Sequence, residues 1–122
     1  MRLGSKSFDG NFPSKILKLD RLKKIYLFHN PGISGNVPYN IVKMNGLMEL
    51  EISLTYLQGN TPSEFDLLKD LIYIGMDETH IHGPIPADLE NMHQIKYLSI
   101  KSLQPTKHFQ WFTRNFPSGS RL

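Results

Sequence analysis

Apolar positions along this chain recur with a long period, and a four-residue phrase marks each return. It reads Gly10-Asn11-Phe12-Pro13, Gly35-Asn36-Val37-Pro38, Gly59-Asn60-Thr61-Pro62 and Gly83-Pro84-Ile85-Pro86, with glycines 25, 24 and 24 residues apart. Three residues after each proline stands an apolar residue: Ile16, Ile41, Phe65, Leu89. Two further steps of three reach Leu19, Met44, Leu68, Met92, and then Leu22, Leu47, Leu71, Ile95. The step then shortens to two, giving Ile25 and Leu27, Leu50 and Ile52, Ile74 and Met76, Leu98 and Ile100. Four copies agree in punctuation and in apolar positions, which is the signature of a repeat architecture.

The spacing carries its own physics. A step of two sends alternate side chains to opposite faces of a strand, so strands are predicted near 22–28, 47–53, 71–77 and 95–101. A step of three suits a short 3₁₀ turn, so turns or one-turn helices are predicted near 14–20, 39–45, 63–69 and 87–93. Glycine permits the tight corner and proline fixes φ after it. One coil cannot bury its own apolar face, but stacked coils bury a shared one. The fold predicted is an α/β solenoid in the loose sense, with one curved parallel sheet and little regular helix.

The pattern Leu-x-x-Leu-x-Leu-x-x-(Asn)-x-Leu-x-Gly-x-(Ile)-Pro resembles the plant-type leucine-rich-repeat family, and Gly83-Pro84-Ile85-Pro86 carries its Gly-x-Ile-Pro phrase most fully. The resemblance covers residues 3 to about 103. It implies an Asn three residues after the last strand Leu, whose amide bonds to backbone of adjacent coils. Asn30 fits, Thr55 and Thr79 stand in the equivalent places, and the last coil has Leu103. Pro31-Gly32 marks the one-residue insertion behind the spacing of 25, and the family's paired-cysteine caps are absent. The organisation expected is repeats over 1–103, a partial first repeat plus about four coils, and a C-terminal cap or tail over 104–122. The chain is expected to open inside a strand at Leu3 with an uncapped apolar end around Leu3, Phe8 and Phe12, and in isolation either to be marginally stable or to self-associate through that end.

Charge sharpens this picture. Residues 1–24 carry seven Lys/Arg against Asp9 and Asp20, residues 25–103 four Lys against nine acids, and the tail Lys107, Arg114 and Arg121 without an acid. The overall +3 is therefore an end effect and argues against a continuous nucleic-acid-binding stripe. No run approaches the roughly 18 apolar residues that span a bilayer. Met1–Lys6 shows no apolar signal-peptide core, so an extracellular or plasma-membrane location is expected only if the parent protein is receptor-like. With no cysteine, disulfides and thiolate metal sites are excluded.

Outward strand positions line up across coils about 4.8 Å apart and form the concave face. The columns read Lys24, Glu49, Tyr73, Tyr97; then Tyr26, Glu51, Gly75, Ser99; then Phe28, Ser53, Asp77, Lys101; then His29, Leu54, Glu78, Ser102. The candidate ligand-binding residues are Tyr26, Phe28, His29, Glu51, Tyr73, Asp77, Glu78, Tyr97 and Lys101. Aromatics beside charges are the mixture favoured at recognition hot spots; the bland alternative is a solvated strand face whose tyrosines brace one another. His80-x-His82 raises a metal pair, but Ile81 is the inward position and both histidines point outward, with too few further ligands nearby. Glu51, Asp77 and Glu78 form an acidic patch that suits a basic partner better than acid–base catalysis. In the tail, Phe109, Trp111, Phe112 and Phe116 among basic residues read as a cap over the last coil, ahead of membrane or single-strand nucleic-acid contact.

The reading is a non-enzymatic module without cofactor or metal that binds a protein or peptide ligand, with no nucleic acid and with a membrane reached only through other parts of a longer protein. The resemblance implies the ectodomain of a receptor-like signalling protein. The alternative is a non-catalytic scaffold segment of a larger intracellular or surface repeat protein.

Overall fold

The structure, a computed structural model, describes residues 9–60, 64–82, 92, 94–101 and 111–115. The chain winds through nine described strands: β1 (Asp9–Asn11), β2 (Lys24–Tyr26), β3 (Asn30–Asn36), β4 (Glu49–Glu51), β5 (Thr55–Asn60), β6 (Tyr73–Gly75), β7 (His80–His82), β8 (Tyr97–Lys101) and β9 (Trp111–Asn115). Three 3₁₀ turns, Ser14–Lys18, Tyr39–Lys43 and Phe65–Leu67, lie between them. Each follows its Gly-x-x-Pro phrase as the steps of three require. The fourth expected turn, near 87–93, lies largely outside the described residues, as do Leu3, Phe8, Leu103 and the phrase at Gly83.

The four repeat strands pair in parallel in the order β2-β4-β6-β8. Their register is that of the repeat: Lys24 opposite Glu49 opposite Tyr73 opposite Tyr97, and Ile25 opposite Leu50 opposite Ile74 opposite Leu98. β9, from the tail, closes the described sheet by pairing antiparallel to β8. The strands are shorter than the spacing predicts, but bonds such as Leu27 N–H to Glu51 O and Ile52 N–H to Gly75 O, both 2.8 Å, continue the ladder past their ends.

A second parallel sheet, β1-β3-β5-β7, departs from the single sheet expected. Its strands lie within the stretch from the Asn/Thr position to the second residue of the next phrase, where Thr55 and Leu57 are buried and Tyr56 and Gln58 exposed. The insertion at Pro31-Gly32 appears as a shift of register between Asn30 and Ser34. β1, β3 and β5 each run one residue past the glycine of the phrase, and the packing explains why that position is a glycine. Gly35 and Gly59 turn at φ 83° and 87°. A Cβ there would lie 3.0 and 2.8 Å from the side-chain oxygens of Asn11 and Asn36, the asparagines of the preceding phrases.

The core lies between the sheets and the turns. Leu50, Ile52, Ile74 and Met76 enter from the repeat sheet, Ile33, Leu57 and Ile81 from the second, and Ile41 and Phe65 from the turns; all are buried. Two expected positions differ. Phe12 is buried, 4% exposed, and so does not contribute to an apolar end. Leu19 is 53% exposed although its equivalents Met44, Leu68 and Met92 are buried. Among the described residues its coil has a neighbour on one side only. The buried Asn30 and its threonine stand-ins tie their own coil: Asn30 Nδ2 donates to the Leu27 and Phe28 carbonyls, Thr55 to Ile52 and Thr79 to Met76.

Leu50 tests the stack. Leu50→Asp places an unpaired charge at a fully buried position of a middle coil and is expected to cost several kcal/mol and unfold the chain. Gln58→Ala, on the exposed face of β5, is expected to stay within about 0.5 kcal/mol. Denaturant midpoints measure both, and equal shifts would mean that the inward and outward faces have been exchanged.

Candidate functional site

The outward faces of β2, β4 and β6 floor a cleft of about 640 Å³ lined by Tyr26, Phe28, Glu49, Glu51, Ser53, Leu54, Tyr73, Asp77 and Glu78. The register that buries Leu50 places Glu49 and Glu51 on either side of it, pointing out, and each carboxylate reaches a neighbouring coil. Tyr26 donates its hydroxyl to Glu49 Oε1. Lys24 Nζ lies 3.0 Å from Glu49 Oε2. Tyr73 donates to Glu51 Oε2 at 2.6 Å, and the Ser53 N–H donates to Glu51 Oε1 at 3.0 Å. Gly75 makes room for this: a Cβ there would stand 2.4 Å from Glu51 Oε2. In the next column the Asp77 N–H donates to Ser53 Oγ at 2.9 Å, and the Ser99 hydroxyl points at both Asp77 oxygens, at 2.6 and 2.8 Å.

Of the residues expected to form the site, Tyr26, Phe28, Glu51, Tyr73, Asp77 and Glu78 line the cleft together. Tyr97 stacks on Tyr73, centroids 4.6 Å apart and 11° between planes, but is not part of the lining. His29 lies around the corner, in a smaller cavity of about 150 Å³ with Pro31, Leu54, Thr55, Tyr56 and Glu78. Lys101 is placed only as a backbone position of β8; its side chain, and Ser102, lie outside the described residues. The tyrosines were expected to be open to solvent, and they are half-buried, because each hydroxyl or ring is held by a residue one coil away. Ser99, expected outward, is buried against Asp77. Leu54 and Tyr56, absent from the expected site, are 41% and 55% exposed. Leu54 stood in the fourth column; Tyr56 could have been found from the Thr55-x-Leu57 alternation.

That fourth column has a conformational signature. His29, Leu54 and Glu78 all adopt left-handed backbone, φ 59°, 58° and 54°. A left-handed non-glycine residue costs roughly 1–2 kcal/mol and persists only where its surroundings fix it. Here the His29 and Leu54 N–H groups bond to Ser53 O and Asp77 O of the next coil, both at 2.9 Å, and the residue that follows each is buried. The corner between the sheets thus turns these three side chains outward at the rim. His80 stacks on Tyr56 at 4.5 Å, while His82 is exposed. Among the described residues no group of three or more His, Asp or Glu side chains is disposed to hold a metal.

The network sets the local electrostatics. Burial opposes ionisation of Glu49, but the hydrogen bonds from Tyr26 and Lys24 outweigh it and hold the carboxyl below its usual range. Lys24 is correspondingly raised by its hydrogen bond to Glu49. Burial, followed by the bond to Glu51, pushes the Tyr73 phenol well above its usual 10.0. A raised folded-state pKa contributes stability that is complete below about pH 10 and is lost as pH rises further. Tyr73→Phe is therefore expected to flatten the alkaline limb of the stability curve and to remove the latest-ionising step from a phenolate absorbance titration. Identical alkaline limbs would contradict the half-buried Tyr73–Glu51 bond.

No protein-family model and no curated protein sequence matches the chain. Solved structures do. The plant peptide hormone receptor RGFR1, in complex with RGF2, superposes with a TM-score of 0.80 at 23% identity, covering 86% of this chain and 17% of that one. The LRR ectodomain of the Arabidopsis receptor kinase HAESA, in complex with an N-terminally extended IDA peptide hormone ligand, gives 0.77 at 27% identity, covering 85% and 17%. A plant ice-binding protein gives 0.73 at 25% identity, covering 77% and 31%. The chain spans less than a third of each of these proteins. With its near-24-residue period, its parallel ladder in repeat register and these superpositions, the chain has a leucine-rich-repeat solenoid fold similar to that of plant receptor ectodomains.

Proposed function

We propose that the chain is a peptide- or protein-binding module, part of a receptor-like protein, and that its ligand is an extended segment carrying a basic residue. The observation that carries this reading is the cleft itself: four carboxylates, Glu49, Glu51, Asp77 and Glu78, interleaved with Tyr26, Phe28, Leu54 and Tyr73. Aromatic and aliphatic side chains supply contact area, and acidic ones select the charge of the partner and steer its approach. The similarity to ectodomains solved with peptide hormones supports the same reading. Similarity to an ice-binding protein is a reminder that the fold alone selects no ligand, so the weight rests on the lining.

The geometry also assigns the tyrosines a structural share. Tyr26 and Tyr73 hold the carboxylates and Tyr97 holds Tyr73, so replacing them costs stability as well as any affinity. Asp77 and Phe28 are better probes of binding. A random linear peptide library displayed on phage, panned on the full chain, is expected to yield peptides containing Lys or Arg. Their affinity is expected to fall about tenfold or more when Asp77→Asn is combined with Phe28→Ala, equivalent to about 1.4 kcal/mol. It is also expected to fall as salt is raised, with the melting curve little changed. Failure to enrich any peptide, or binding indifferent to both substitutions and to salt, would favour the scaffold reading.

A further inference from the structure

The carboxylates of the cleft are not equivalent. Glu49 is held by Lys24 and Tyr26, Glu51 by Tyr73 and the Ser53 backbone, and Asp77 by Ser99. Glu78 is exposed and has no hydrogen bond or ion pair among the described residues. A cation gains most from a carboxylate whose acceptors are not already used. Glu78 also stands where the 640 Å³ cleft meets the 150 Å³ cavity, and it lines both. Leu54 does the same, 41% exposed and turned outward by its left-handed backbone. Pro31 and the half-exposed Tyr56 complete an apolar seat beside it, with room for one side chain.

From this juxtaposition we infer that the ligand is read at the corner between the two sheets, where an apolar side chain of an extended peptide enters the Leu54–Tyr56–Pro31 seat and an adjacent Lys or Arg pairs with Glu78. The inference rests on the peptide-binding reading and narrows it. The tyrosine-lined floor becomes the rigid support, and the discriminating contacts move to the rim and onto the second sheet. Because the corner is fixed by backbone bonds to the next coil, it meets its ligand already formed, and little ordering opposes association.

The probes are the library-selected peptides, bound to the full chain. They are expected to share an apolar residue next to Lys or Arg, and to lose at least about tenfold in affinity on Glu78→Gln and, separately, on Leu54→Ala. Both side chains are exposed, so the melting curve is expected to hold. Panning Glu78→Lys afresh is expected to replace the basic residue by Asp or Glu. Peptides that respond to Asp77→Asn with Phe28→Ala but not to Glu78→Gln or Leu54→Ala would overturn the corner and leave the cleft standing. A library that yields no binder would overturn both.

Discussion

Everything in this molecule depends on one constraint: a single coil of about 24 residues cannot bury its own apolar edge, so each coil must stack on the next in register. Ile25, Leu50, Ile74 and Leu98 lie one above another because that is the alignment in which all four are covered. A slip of one residue would turn that whole row to solvent. The same alignment determines which residues meet on the outer face. Glu51 reaches Tyr73, and Ser99 reaches Asp77, because their neighbours inside the core are locked in place. Core and cleft are two faces of one register.

The outer face shows what such a ladder does with charge. Carboxylates one coil apart would repel if left to themselves. Here three of them are tied to donors on neighbouring coils, Tyr26, Tyr73 and Ser99, Glu51 also takes the Ser53 N–H of its own coil, and the lysine at the rim pairs with the first. Gly75 serves this network and not a turn: any larger residue would occupy the space of the Glu51 carboxylate. A preformed acidic cleft results, with its polar groups satisfied before any ligand arrives. What is left over lies at the rim, where backbone strain turns Leu54 and Glu78 outward.

Most of the fold was legible because period and spacing are one-dimensional facts. The register of the repeat sheet follows directly from the 24-residue step, and so do the columns of the outer face. The second sheet was not read, because its alternation runs over few residues, as in Thr55-x-Leu57, and was absorbed into the punctuation before each glycine. Leu19 was misplaced because the pattern cannot tell a residue flanked by coils on both sides from one with a neighbour on one side. Of the site, the cleft members were legible as columns. The division of labour among them was not: whether a tyrosine faces a ligand or braces a carboxylate depends on side-chain reach across coils, and sequence spacing carries no such distance.

Amide hydrogen exchange, read residue by residue, tests the shared register most directly. The Ile52 N–H bonds to Gly75 O at 2.8 Å in the middle of the stack, flanked by the equivalent bonds of Leu27 to Glu51 and Met76 to Ser99. Exchange there requires separating coils, so Ile52 is expected among the slowest amides, opening only with global unfolding. Slow exchange at Ile52 with Leu27 and Met76 close behind would bear out a cooperatively stacked ladder. An Ile52 amide that exchanges as fast as those of the exposed turn at Lys69 and Asp70 would contradict it.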